Sequence, residues 1–414
     1  MRSTLLLLLI FLPAGLASAQ ADFRFGGEVS TDFAAAVDGE VPTSAACLEL
    51  RASGDVGSGF FPDASFEADV HGCYDAAVGA GEVRLGRAFA TLYLDDVDLL
   101  VGQQVVFWGS ADAFNPVDVI NPRDLSTPLA DAAEQKLPIP LLRGIVHAPA
   151  DVTFDLVLVP VFRPSVLPGE RWRPEQQLAL PPEITVVGRA QPVNNQPEAK
   201  LSNLQYGARA TFPINAFSGG DVSLSYFHGI RDTPTVTANL LPTETPGEVL
   251  LQPVLDYDTF DLVGVDFSVA VAPTVIRGEV AYTMTGDPDG TDPSIANHSL
   301  SATLGAEYTF PGGVFTSLQG MVDYLAGDDG EAGDLDLSAL LASSYQVNSR
   351  VSLEGAWLHN LSDGSGLVSP NLSYQFADGV TGNVGALVLY GSEDSELGAF
   401  RSNSQLTLSL AYSF

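Results

Sequence analysis

Basic residues are scarce in this chain of 414 residues: 18 Lys+Arg stand against 51 Asp+Glu, a formal charge of −33. The only lysines are Lys136 and Lys200. A phosphate backbone needs a basic footprint, so nucleic acid is excluded as a partner. A basic helix lying on anionic lipid is excluded on the same ground. The acidity does not signal disorder, because 46% of residues are hydrophobic and only 17% charged, enough to bury a sizeable core. It is either solvated surface or a device for handling cations, and composition alone does not choose. Cysteine is nearly absent. Two residues cannot make a disulfide-dense scaffold, and no CxxC or Cys/His zinc spacing occurs, which leaves room for one bridge. Catalytic signatures are also missing. There is no Gly-x-Ser-x-Gly, His-Glu-x-x-His or phosphate loop, and His71, His147, His228, His298 and His359 are scattered. The acidic stretches 287–292 and 328–331 lack the twelve-residue calcium-loop spacing. The chain reads as no enzyme, with no cofactor and no metal.

The last absence is of any run of about 18 apolar residues after the N-terminus, which excludes a membrane-spanning helix. Residues 1–19 read as an export signal, with Arg2, an apolar core from Leu5 to Leu12 and a small-residue cleavage site at Ala17-Ser18-Ala19. From residue 20 to 414 the apolar residues are instead divided into short segments of period two. In the last of them Leu406, Leu408, Leu410, Tyr412 and Phe414 share one face, and Gln405, Thr407, Ser409 and Ser413 the other. That is the pattern of a transmembrane strand with lipid on one side and a polar lumen on the other.

Such segments lie near 22–36, 45–58, 63–76, 83–95, 97–109, 140–150, 151–162, 203–214, 220–230, 259–272, 274–285, 298–310, 314–326, 334–347, 350–361, 366–377, 380–392 and 402–414. Turns after the even-numbered segments are tight, as at Ala272-Pro273 and Pro311-Gly312-Gly313, and those after odd ones mostly longer. The expected fold is all-β: a transmembrane antiparallel barrel of about 18 strands (16 to 20), with short turns periplasmic and long loops outside. The terminal Phe414 resembles the assembly signal of Gram-negative outer-membrane proteins, which implies the barrel-assembly machinery as a partner. A hairpin centred near residue 60 sets Cys47 opposite Cys73, Arg51 opposite Asp69 and Glu49 opposite His71. A cross-strand disulfide is expected there.

A barrel of this size encloses a polar interior. Inward positions carry Asp266, Glu279, Glu307, Asp323, Asp336 and Glu354, opposed there by Arg277 alone. Arg51, Arg84, Arg143 and Arg209 have inward parity in the first half. These are the candidate pore-lining residues: either two oppositely charged walls or a set of local ion pairs. The connection 108–140 carries Trp108, Asp112, Asn115, Asp118, Asn121, Arg123 and Asp124, with two Asn-Pro pairs and several apolar residues. Asn-Pro favours ordered turns, and Phe114, Val117, Val119 and Ile120 are costly in open solvent. The segment is expected to fold inward as a constriction loop. Two further long loops, 163–202 and 231–258, are proline-rich, and the first holds Arg163, Arg171, Trp172, Arg173 and Arg189.

The stretch Val101-Gly102-Gln103-Gln104-Val105-Val106-Phe107-Trp108-Gly109, with the Asn-Pro-x-Asp and Asn-Pro-Arg-Asp pairs and Lys136-Leu137-Pro138-Ile139-Pro140, resembles a porin-like family of Gram-negative outer-membrane proteins of unknown function. The resemblance implies an outer-membrane channel and brings no substrate. Three readings follow. One is a passive channel for small solutes that prefers cations. The second is a barrel handling hydrophobic or lipid substrates, and the third a plugged structural barrel. The expected partners are outer-membrane lipid, lipopolysaccharide and small solutes, and the barrel is monomeric or homotrimeric.

Overall fold

The computed structural model describes residues 20–57, 63–126, 134–173, 184–328 and 331–414. The export signal expected at 1–19 lies outside them. Alternating side chains force an extended backbone wherever one face must meet an apolar solvent and the other water. The strands are β1 (Gln20–Ala36), β2 (Thr43–Gly57), β3 (Asp63–Asp75), β4 (Ala80–Tyr93), β5 (Val97–Gln104), β6 (Ile139–Ala148) and β7 (Val152–Val159). Then come β8 (Thr185–Arg189), β9 (Val193–Asn194), β10 (Gln205–Ile214), β11 (Gly220–Ile230), β12 (Thr235–Pro242) and β13 (Glu248–Asp256). The rest are β14 (Thr259–Val271), β15 (Thr274–Thr285), β16 (Ser299–Thr309), β17 (Val314–Leu325), β18 (Asp334–Asn348), β19 (Val351–Asn360), β20 (Gly366–Ala377), β21 (Val380–Tyr390) and β22 (Gln405–Ser413).

Eighteen of these close into one antiparallel ring, β1 to β7, β10, β11 and β14 to β22, each paired with the next. The ring is sealed by β1 on β22, from Glu28 opposite Ser413 to Ala36 opposite Gln405. At the seam Phe414 exchanges two 2.9 Å backbone bonds with Gly27. A Cβ on Gly27 would sit 2.7 Å from the Phe414 ring, so the terminal aromatic needs a glycine beneath it. Closure removes every free edge, the condition for strands to lie in lipid.

Outward parity is apolar all round: Leu406, Leu408, Leu410 and Tyr412 are exposed, as are Val280 and Tyr282 on β15, while Glu279 and Ala281 between them are buried. Aromatic pairs mark both rims. Tyr308–Phe310, Tyr374–Phe376 and Tyr412–Phe414 lie at the short-turn end. Tyr206 with Tyr226 and His228, Tyr282 with His298, and Trp357 with His359 and Tyr390 lie at the long-loop end. His298 and Tyr308 stand on the two rims of a single strand. At a rise of about 3.3 Å per residue and a tilt near 40°, the band between them is about 25 Å tall, the height of an outer-membrane apolar belt.

Cys47 and Cys73 are cross-strand partners on β2 and β3, disulfide-bonded with Cα atoms 4.1 Å apart. Two features depart from the sequence reading. The strand expected over 97–109 ends at Gln104, because the chain turns into the barrel there. The two proline-rich loops are not irregular throughout. β12 and β13 form a hairpin, and β8 and β9 add to β13 in parallel. Proline hid these strands: Pro242 ends β12, and Pro253 falls in β13 between the residues that pair with β8 and those that pair with β9.

Candidate functional site: a loop docked inside the lumen

The inward turn is built from side chains that bind remote backbone. Gly102 has φ +133°, and a Cβ there would lie 2.3 Å from the Ala88 carbonyl. Only glycine lets β5 pass so close to β4. The Gln103 amide then donates to the carbonyls of Leu85 (2.8 Å) and Gly86 (2.7 Å). Those carbonyls lie where the β3–β4 register shifts, between Ala68 and Val70. Asn121 accepts from the Val106 N–H at 2.8 Å and donates to Gln104 O (3.0 Å) and Leu137 O (2.9 Å), clamping the descending and returning arms together. Asn115 donates to Trp108 O at 2.8 Å. Asp118 accepts from the Trp108 N–H at 3.3 Å and from Lys136 Nζ at 2.5 Å. The Asn-Pro-x-Asp repeats thus cross-link loop segments, and the first also closes a turn, with Asp118 N–H donating to Asn115 O at 3.2 Å.

Lys136 is buried, also donates to Val106 O, and sits 4.2 Å above the Phe107 ring. Burial pushes its ammonium down to about 8, against the pull of Asp118. Asp124, which ends the second repeat, pairs with Arg84 on β4 at 3.4 Å.

The loop covers an apolar face of the inner wall. Val106, Trp108, Val117 and Ile120 pack on Ile139 and Leu141 of β6, Val157 and Val159 of β7, Phe227 of β11, Phe260 and Leu262 of β14 and Ala281 of β15. Trp108 is fully buried, edge-on to Phe227, and its Nε1–H donates to Asp155 at 2.9 Å. This is a second hydrophobic core inside the lumen. It explains why those inward positions are apolar.

The tip is held by charge. The N–H groups of Ser110 and Ala111 donate to Glu279 Oε1, both at 2.5 Å, and that of Val117 to Oε2 at 3.4 Å. Phe114 N–H reaches Gln319 on β17 at 3.3 Å. Arg277 donates to Ser110 O and pairs with Glu307 (2.6 Å) and Asp112 (3.7 Å).

The remaining pore-lining candidates fall into local groups. Arg209 pairs with Asp266 at 2.7 Å, so Arg277 is not the sole base opposing the acids of this wall. Arg143 pairs with Asp155 at 2.6 Å, and Arg51 with Glu49. Asp323 accepts from Ser301 Oγ, and Asp336 from Asn360 Nδ2 at 2.8 Å. Glu354 is exposed, cross-strand from Asn371. The basic residues are therefore neutralised one by one rather than ranged along a wall. Asp155, Arg87 and Gln319 were not singled out from the sequence. Inward parity marks each of them, but register is needed to reveal the partners.

A second segment crosses the mouth. Following the ring either way, β20 is the ninth strand from β7, and hence opposite it. The chain leaving β7 nevertheless places Trp172 against Phe400 (5.7 Å) and beside inward-facing Leu358, Leu367, Leu387 and Leu389 of β19 to β21. Arg171 pairs with Asp38 and Glu40 beyond β1, and its carbonyl accepts from Asn403 Nδ2. Of the first proline-rich loop's candidate residues, Arg171 and Trp172 thus anchor the strap.

A closed antiparallel barrel with girdled rims, short turns at one end and a loop docked inside is the architecture of a porin. OccD3 (OpdP) of Pseudomonas aeruginosa is similar in fold over 96% of this chain and 92% of its own, at 10% identity and a TM-score of 0.54. The outer membrane channel DcaP of Acinetobacter baumannii is aligned over 95% and 97%, at 14% identity and a TM-score of 0.46. No curated protein matches the sequence. Residues 83–359, from β4 to β19, match a family described as protein of unknown function (DUF1302), and the chain belongs to that family. The match spans the inward turn, the docked loop and the wall it packs on.

Proposed function

We propose that the protein is an outer-membrane channel for passive diffusion of small solutes, with cation preference, and not an enzyme. The observation that carries this is the one-sided docking of the loop. Its core and tip contacts fall on the wall from β6 to β17, leaving the arc of β1 to β3 and β18 to β22 to line an aperture. Inward Glu28, Asp32, Glu49, Asp69, Asp336 and Glu354 on that arc outnumber Arg24 and Arg51. Carboxylates in a wet pore remain ionised and raise the local cation concentration. The disulfide of β2 and β3 fits an oxidising compartment outside the cytoplasm, and the aromatic rims fit contact with outer-membrane lipid and lipopolysaccharide. The seam at Phe414 is the expected contact for the assembly machinery.

Reconstitution in a planar bilayer under a KCl gradient tests the reading. Stepwise conductance with a reversal potential displaced toward that of K⁺ is expected. Anion selectivity would refute the cation preference. Silence would refute the channel, and lipid retained in a silent barrel would favour the hydrophobic-substrate reading.

A further inference from the structure

The strand-borne inward arginines Arg24, Arg51, Arg84, Arg87, Arg143, Arg209 and Arg277 all stand in ion pairs. Several loop-borne arginines do not, and two of these share a cavity. Arg123 and Arg231 form no ion pair among the described residues, although the protein has 51 acidic side chains. Both line one cavity of about 360 Å³. It lies on the long-loop side of the docked loop, against the inner wall at Phe260 of β14, Thr283 of β15 and Ser299 of β16. Val119 and Phe260 give it an apolar side.

The cavity is built by three segments that meet at Ser165. Its hydroxyl accepts from the Arg123 N–H at 2.8 Å and donates to Asp232 at 2.7 Å, and its own N–H donates to Asp232 O at 2.9 Å. The strap, the docked loop and the β11–β12 connection are thereby fixed to one another. Of the two carboxylates lining the cavity, Asp118 is bonded to Lys136 and Asp232 to Ser165, and Arg123 attracts Asp232 without a direct ion pair. Burial also raises the Asp232 carboxyl above its ordinary value, which weakens it as a competing anion.

We propose that this cavity is a binding subsite for small carboxylates with an apolar body. The carboxylate would lie between the guanidinium groups of Arg123 and Arg231, and the body against Val119 and Phe260. A guanidinium presents a planar fork that matches a carboxylate, and an unpaired half-buried guanidinium gains most from such a partner. The volume is at the lower end of small-molecule sites, which limits the ligand to about the size of a single substituted ring. The net charge of the aperture governs which ions carry current. The two free guanidinium groups govern which solute pauses above the loop.

The subsite extends the channel reading, as a stop on the permeation path, but its occupancy is measurable with no current flowing. The test is equilibrium binding of benzoate, and of its neutral analogue benzyl alcohol, to the detergent-solubilised protein by saturation-transfer NMR. Benzoate is expected to bind at least about tenfold more tightly than benzyl alcohol, the difference made by a charge-assisted contact. R123Q with R231Q is expected to abolish that preference, and R123K with R231K to restore part of it. Equal binding of the two probes by the wild-type protein would overturn the proposal. So would an unchanged preference in the folded R123Q/R231Q variant. Because the wild-type comparison decides by itself, a variant that fails to fold leaves the test intact. A silent barrel that binds benzoate would refute the channel and keep the subsite, and a conducting barrel indifferent to benzoate the reverse.

Discussion

Trp108→Ala is the sharpest perturbation of the docked loop. The side chain is fully buried, lies edge-on to Phe227 and donates to Asp155. A buried tryptophan covers about 150–250 Å², and at about 25 cal/mol per Å² its burial is worth about 4–6 kcal/mol. Measured truncations of this kind cost about 3–5 kcal/mol. Asp155 keeps Arg143 at 2.6 Å, so no unpaired buried charge is added. Trp108 lies beyond the end of β5 and makes no rung of the ring, so the loss falls on loop docking and not on the barrel. About 4 kcal/mol lowers the docked-to-undocked ratio by about a thousandfold, at about 1.4 kcal/mol per factor of ten. Amide hydrogen exchange reads this ratio directly. The peptide 105–126 should lose about three orders of magnitude of protection while peptides from β16 to β20 keep theirs, and open-channel current should become noisier. A loss of protection below about tenfold would refute the view that Trp108 anchors the loop. Trp108→Phe keeps the ring contact and should lose only the bond to Asp155, about 1–2 kcal/mol.

Four other outcomes are expected. Glu279→Ala should free the loop tip, which it holds through three N–H groups, and enlarge single-channel conductance. Glu279→Gln, keeping one acceptor oxygen, should fall between. Lys136 is held down to about 8, against 10.5 when solvated. Between those values the undocked loop binds the additional proton, so raising pH through this window favours docking. Channel noise should therefore fall from pH 8 to pH 10 and change little below pH 7. Replacing Cys47 and Cys73 by Ser removes a link across 26 residues, worth about 3.5 kcal/mol of chain entropy. The unfolding temperature on gels should drop with conductance unchanged. Trp172→Ala should release the strap from its leucine cradle, raising liposome-swelling rates for bulky sugars more than small-ion conductance.

Period-two alternation was enough to reveal the ring, because lipid on one side and water on the other leave each strand only one acceptable register. The hairpin pairing of Cys47 with Cys73 followed from the same arithmetic. The early end of β5 was not legible. Val105 to Trp108 continue the strand pattern, and only the positive φ of Gly102 and the clamp by Asn121 turn them inward. The pairing of Arg209 with Asp266 was hidden for another reason. They lie 57 residues apart on strands separated by β11, and meet only because β11 presents a small Ser223 between them. The cavity beneath Ser165 needs three loops at once, which no local pattern encodes.

The internal core bears on how such a barrel is made. Its wall runs from β6 to β15, and the seam joins β1 to β22 on the far side of the ring. An open sheet of the middle strands already presents every surface that Trp108 and Val117 need. The segment can therefore settle on a half-built wall, and no plug has to be threaded through a finished cylinder. The docked loop touches neither terminal strand, so its own packing does not wait for that last zipper to close.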